Sequence, residues 1–187
     1  MIALLALSIA AADAHAGFFL RPEAGIGVLA TSLPQHGSDA LQGGGAAAVF
    51  GISIGGAVAP RHLLAIHLWV MDAPDPAFTI GSEAVGPGGA LLYYGFGPEY
   101  TYYFKNEYYL SITPSLAGGQ QSGDAYGRFE MDLGFAARAA LGKEWRAGPH
   151  WGLGIAAQVM IGFNGDSGTS STWTTWQAGI SFTASCN

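Results

Sequence analysis

The sequence predicts an all-β protein, an eight-stranded antiparallel up-and-down transmembrane β-barrel. Three observations predict it. Apolar and polar residues alternate with period two through eight successive segments, and the links between those segments alternate between long and short. Only 11% of the 187 residues are charged, against roughly 25% in an average soluble domain. That is too few to coat a water-facing exterior, yet no run of 18 apolar residues offers a membrane helix. The formal charge is −6 with no basic cluster that could follow a phosphate backbone, which argues against nucleic acid as a partner.

The chain opens with MIALLALSIAAADAHA. An apolar stretch from Ile2 to Ala12 and the A-x-A pattern Ala14-His15-Ala16 predict a cleaved export signal over residues 1–16, leaving 17–187 as the barrel domain. Cys186 is the single cysteine, so no disulfide forms within the chain, and no lipid-accepting cysteine lies near the cleavage site.

The segments follow in order. From Gly17 to Thr31, Phe18, Leu20, Ala24, Ile26 and Val28 share one face, and Arg21, Glu23, Gly25 and Gly27 the other. Next, Phe50, Ile52 and Ile54 oppose Gly51, Ser53 and Gly55; Leu64, Ile66, Leu68 and Val70 then oppose Ala65, His67 and Trp69. Leu92, Tyr94, Phe96, Tyr100, Tyr102 and Phe104 oppose Gly95, Gly97, Glu99 and Thr101. Tyr108, Leu110, Ile112 and Leu116 oppose Ser111, Thr113 and Ser115.

The sixth segment, Arg128 to Gly142, sets Phe129, Met131, Leu133, Phe135, Ala137, Ala139 and Leu141 against Arg128, Glu130, Asp132 and Arg138. The seventh sets Trp151, Leu153, Ile155, Val159, Ile161 and Phe163 against Gly152, Gly154, Gln158 and Asn164. In the last, Trp176, Ala178, Ile180 and Phe182 oppose Gln177, Gly179, Ser181 and Thr183. Pro22, Pro98 and Pro114 fall inside these segments and predict strand ends or bulges there, because proline donates nothing to a ladder.

Long links rich in Gly, Ser, Asp and Pro run near Leu33–Gln42, Ala73–Gly88, Gly119–Ala125 and Gly165–Ser171. Short ones fall at Ala59–Arg61, Lys105–Glu107 and Lys143–Pro149. Such a meander has one elaborated rim.

Which face is inside follows from volume. The interior of an eight-stranded barrel has room for little more than one face of mostly small side chains, so the bulky apolar face points out to lipid and the charges point in. Aromatic residues at both strand ends agree with two membrane interfaces: Phe104, Tyr108, Trp145 and Trp151 at the short links, and Phe163, Trp173 and Trp176 at the long ones.

The pattern resembles the small eight-stranded outer-membrane barrels of Gram-negative bacteria, the OmpA/OmpX-like or OmpW-like group. The stretch GFGPEYTYYF (Gly95–Phe104) followed by YYLSITPSLAGG (Tyr108–Gly119) looks like one of their hairpins. Trp176, Ala178, Ile180 and Phe182 resemble the aromatic-bearing last strand that barrel-assembly machinery recognises. The resemblance implies a bacterial outer-membrane location, contact with membrane lipid and lipopolysaccharide, and a monomer without cofactor.

The lumen carries the functional expectation. Counted from the short-link end, Glu23, His67, Glu99 and Arg138 reach nearly one height, about five or six residues up, since barrel strands share one tilt. Arg138 is therefore expected to pair with Glu99 or Glu23 beside His67, with Arg21 in the same polar layer, closing the channel. Arg128, Glu130 and Asp132 are expected in an upper, wetter lumen.

Enzymatic alternatives are weaker. His36, Ser38, Asp39, Asp75 and Ser82 lie on long links, but no motif of the lipid A-modifying barrel enzymes is matched. His62 and His67, five apart, lie on opposite strand faces, which excludes shared metal coordination by them alone. The expectation is a non-enzymatic barrel with a structural or surface-interaction role. The alternative is a narrow diffusion channel or an OmpW-like conduit for small solutes.

Overall fold

A computed structural model describes residues 17–34, 39–87, 89–122, 129–166 and 170–186. The expected export signal, His36, Ser38 and Arg128 lie outside the described residues. Among the described residues ten strands follow one another: β1 (Phe18–Leu33), β2 (Leu41–Ala59), β3 (His62–Pro74), β4 (Ala77–Ile80), β5 (Glu83–Pro87), β6 (Ala90–Tyr103), β7 (Tyr108–Ser122), β8 (Phe129–Arg146), β9 (Trp151–Gly165) and β10 (Thr172–Cys186). Long strands pair antiparallel with their chain neighbours, and β1 pairs with both β2 and β10, which closes the sheet into a barrel.

The barrel wall has eight staves. β4 and β5 extend β3 and β6 beyond the rim: the β3–β6 ladder ends at Pro74↔Ala90, and pairing resumes from Ala77↔Pro87 to Ile80↔Glu83. Between them Asp75 (φ 47°) and Gly89 (φ 87°) hold left-handed backbone, and the Asp75 N–H donates to the Gly89 carbonyl at 2.9 Å. Pro74 and Pro76 flank Asp75 and exclude a regular ladder, so the hairpin kinks at the rim. What reads in sequence as a link from Ala73 to Gly88 is therefore largely strand, and β4 also pairs with β2 over Leu41–Gly44.

The prolines sit within continuous strands and not at their ends. The β6–β7 ladder runs from Phe96↔Leu116 to Tyr100↔Ile112 with no pair between, which sets Pro98 opposite Pro114. Both missing donors fall on one gap, so the ladder is broken in a single place. Likewise the β1–β10 ladder steps from Leu20↔Cys186 to Glu23↔Thr183, skipping Pro22. All three prolines point outward and are exposed.

On the outside, β9 presents Trp151, Leu153, Ile155, Val159, Ile161 and Phe163, all exposed, while its alternate residues are buried. From Trp151 to Phe163 the twelve steps, at about 3.3 Å each and a tilt near 40°, give a band roughly 30 Å tall, enough to span a hydrocarbon core. Among the described residues no helix is long and apolar enough to cross a membrane.

Candidate functional site

The lumen is filled in three layers. At the short-link end Phe19, Leu63, Tyr103 and Tyr109 pack together. At the long-link end Leu29, Val49, Trp69, Met71, Tyr93 and Trp173 belong to a larger apolar cluster. Glycines make room for these rings: a Cβ on Gly142 would come within 2.4 Å of the Tyr109 ring, and one on Gly95 within 2.5 Å of Trp69. Large and small inward residues thus interlock across neighbouring strands.

Between the two apolar layers lies a polar belt. Arg21 donates from Nη2 to Glu99 Oε1 at 2.7 Å and to Ser111 Oγ at 3.0 Å, with its guanidinium 4.6 Å from the Tyr109 ring centre. Arg138 donates from Nη2 to Glu23 Oε1 at 2.5 Å and from Nε to Gln158 Oε1 at 2.9 Å. Its Nη1 lies 3.1 Å from His67 Nε2. Exposure is 3% for both arginines, 1% for His67 and Glu99, and 9% for Glu23. Charges held this far from water persist only when paired, and each arginine here faces its own carboxylate.

The belt sets the protonation pattern of His67. Arginine can only donate, so Nε2 accepts from Arg138 and the proton of the neutral ring sits on Nδ1. Nδ1 faces Ser53 Oγ at 2.9 Å and Glu99 Oε2 at 3.7 Å. Ser53 and His67 thus meet at the distance of a nucleophile and its base, yet the nitrogen nearest the hydroxyl already carries the proton. The opposite nitrogen faces the Arg138 guanidinium.

Two groups of expected residues are placed otherwise. Glu130 and Asp132 are exposed, while Met131 is buried in the long-link cluster. The cause is a β-bulge: Ala117 pairs with Gly134 and Gly119 with Met131, so β8 carries one extra residue and its alternation reverses beyond that point. Asn164 secures the bulge, donating to the carbonyls of Ala117 (2.7 Å) and Asp132 (2.8 Å) and accepting from the Tyr93 hydroxyl (2.7 Å). Trp173 is the second correction. It is 1% exposed, faces the lumen and donates from Nε1 to Asp166, because a residue three positions from the outward Trp176 must lie on the opposite face. Phe104, Tyr108, Trp145, Trp151, Phe163 and Trp176 are each 45–50% exposed on the outer wall.

Sequence reasoning missed Glu144. It is buried at the short-link end, accepting from the Tyr103 hydroxyl at 2.7 Å and closely from Ser185. Alternation carried on from Arg138 would have found it, since β8 runs to Arg146 and not only to Gly142. Asp39, Asp75 and Ser82 are exposed at the long-link end. No group of three or more His, Cys, Asp or Glu residues that could hold a metal occurs among the described residues.

No family model and no curated protein matches the chain. Solved structures do. The outer membrane protein OprG from Pseudomonas aeruginosa is 10% identical, with 90% of this chain and 96% of that one covered and a TM-score of 0.55. The outer membrane protein AlkL, solved in lipid bilayers, is 14% identical, with 92% and 89% covered and a TM-score of 0.51. The outer membrane protease OmpT from Escherichia coli is 8% identical, with 91% and 96% covered and a TM-score of 0.45. With a closed ring of eight staves, an apolar exterior and the likeness to OprG and AlkL, the chain has the fold of the small eight-stranded barrels of bacterial outer membranes.

Proposed function

We propose that the protein is a non-enzymatic outer-membrane barrel with a closed lumen, acting as a structural or surface-interaction element. The observation that carries this reading is the filled interior: an ion-paired belt lies between two packed apolar layers. The His67–Ser53 geometry speaks against nucleophilic catalysis at that pair.

An even number of staves puts both termini on one side, and export would leave them in the periplasm. The long-link end, with its raised β4–β5 hairpin, then faces outward. That end is acidic, with Asp39, Asp72, Asp75, Glu83, Glu130 and Asp132 all exposed. Arg61, Lys105, Lys143 and Arg146 gather instead at the short-link end. A negative outer face repels polyanions and favours partners that carry or bridge through positive charge. Liposome swelling tests the closed lumen. Vesicles containing the protein should exclude small sugars as well as protein-free vesicles do, and swelling at a porin-like rate would overturn the reading.

A second reading has one observation in its favour. The outer half of the lumen is lined by Leu29, Val49, Trp69, Met71, Met131 and Met160, a surface suited to apolar solutes. Uptake of an apolar tracer that Met71→Arg abolishes would promote the conduit.

A further inference from the structure

The outer wall carries a depression of about 400 Å³ where β10, β1, β2 and β4 meet near the long-link rim. Its construction follows from register. Trp176 pairs with Ala30, Ala30 with Gly44 and Gly44 with Ala77, so one row across four strands holds an indole beside three of the smallest side chains. One step nearer the rim, Thr174 pairs with Ser32, Ser32 with Gln42 and Gln42 with Thr79. That row consists entirely of uncharged hydroxyls and an amide. Both rows belong to the outward series of their strands, and Trp176 is 50% exposed.

An aromatic face below and uncharged hydrogen-bonding groups above suit a saccharide. A sugar ring offers an apolar face for stacking and hydroxyls along its edge. The volume lies within the usual range of small-molecule sites. Its height matters as much as its lining: an outward site at the upper edge of the apolar band meets the headgroup layer of the surrounding leaflet.

We propose that this depression binds the saccharide headgroup of an outer-leaflet glycolipid. Trp176 stacks on a pyranose ring, and Ser32, Gln42 and Thr79 take its hydroxyls. The small residues Ala30, Gly44 and Ala77 create the space. The proposal rests on the membrane reading above, with the long-link end outermost.

The test uses the full mature barrel refolded into phosphatidylglycerol vesicles containing lipid A, then extracted into mild detergent. Native mass spectrometry counts the lipids retained. Wild type should hold about one lipid A per barrel. Ala30→Leu, which fills the space, and Trp176→Ala, which removes the platform, should each reduce that at least tenfold, leaving phosphatidylglycerol retention unchanged. Equal lipid A retention by wild type and Ala30→Leu overturns the proposal, as does equal preference for phosphatidylglycerol in the wild type. Displacement by free glucosamine disaccharide alone overturns the assignment to a membrane glycolipid. The same samples are run heated and unheated on a gel. A heat-dependent shift with no lipid A preference rejects the site alone, whereas absence of the shift rejects the barrel reading beneath it.

Discussion

Replacing Arg138 by alanine would remove three buried contacts at once: to Glu23 at 2.5 Å, to Gln158 at 2.9 Å and to His67 at 3.1 Å. Glu23 would keep only His67 Nε2 at 3.7 Å, and its side chain is 5% exposed, so its carboxylate could not be rescued by bulk water. Breaking one partner of such a pair costs on the order of 3–5 kcal/mol, because an unmatched charge stays buried. At about 1.4 kcal/mol per tenfold, the unfolding equilibrium should shift by roughly a hundredfold to a few thousandfold. The assay is urea unfolding in lipid vesicles, followed by the gel-mobility difference between folded and unfolded barrel. Glu23→Leu combined with Arg138→Met should recover most of the loss, since apolar replacement of a whole buried pair is often neutral. A loss for Arg138→Ala below about 1 kcal/mol, the size expected of an exposed pair, would refute the reasoning.

Four further outcomes follow from the same structure. Trp173→Ala should destabilise by about 3–5 kcal/mol and Trp176→Ala by about 1 or less in the same unfolding assay, because one ring fills the lumen and the other faces outward. Asn164→Ala should cost about 1–3 kcal/mol, since two bulge carbonyls and the Tyr93 hydroxyl lose their partner, and Asn164→Asp should rescue only the Tyr93 contact. Gly142→Leu should destabilise by about 1–3 kcal/mol or block refolding, as its side chain meets the Tyr109 ring. In a Cys186→Ser background, a cysteine at Ser82 should react with membrane-impermeant maleimide on intact cells and one at Asn106 should not; the reverse pattern would invert the topology.

The period-two rule carried most of the architecture because it depends on local chemistry alone. Each inward residue of the polar belt keeps the parity of its own strand, and shared tilt brings Glu23, His67, Glu99 and Arg138 to one level. What escaped was non-local. The β8 bulge is visible only against β7, where Gly118 stands opposite the extra residue, so Glu130 and Asp132 were assigned to the wrong face. The rim kink at Asp75 and Gly89 hid β4 and β5 because proline and glycine read as link. Trp173 was a different failure: its spacing from Trp176 already excluded a shared face. The apolar layers went unnoticed because Tyr93, Tyr103 and Tyr109 stand beside outward aromatics, and runs such as Tyr102-Tyr103-Phe104 conceal which ring points in.

The central claim is that the ion-paired belt and its two apolar layers close the lumen, and single-channel recording tests it most directly. Refolded wild-type protein in a planar bilayer should show no stable open level, while Arg138→Ala should show at most brief, small openings. A steady porin-like conductance from the wild type would contradict the account.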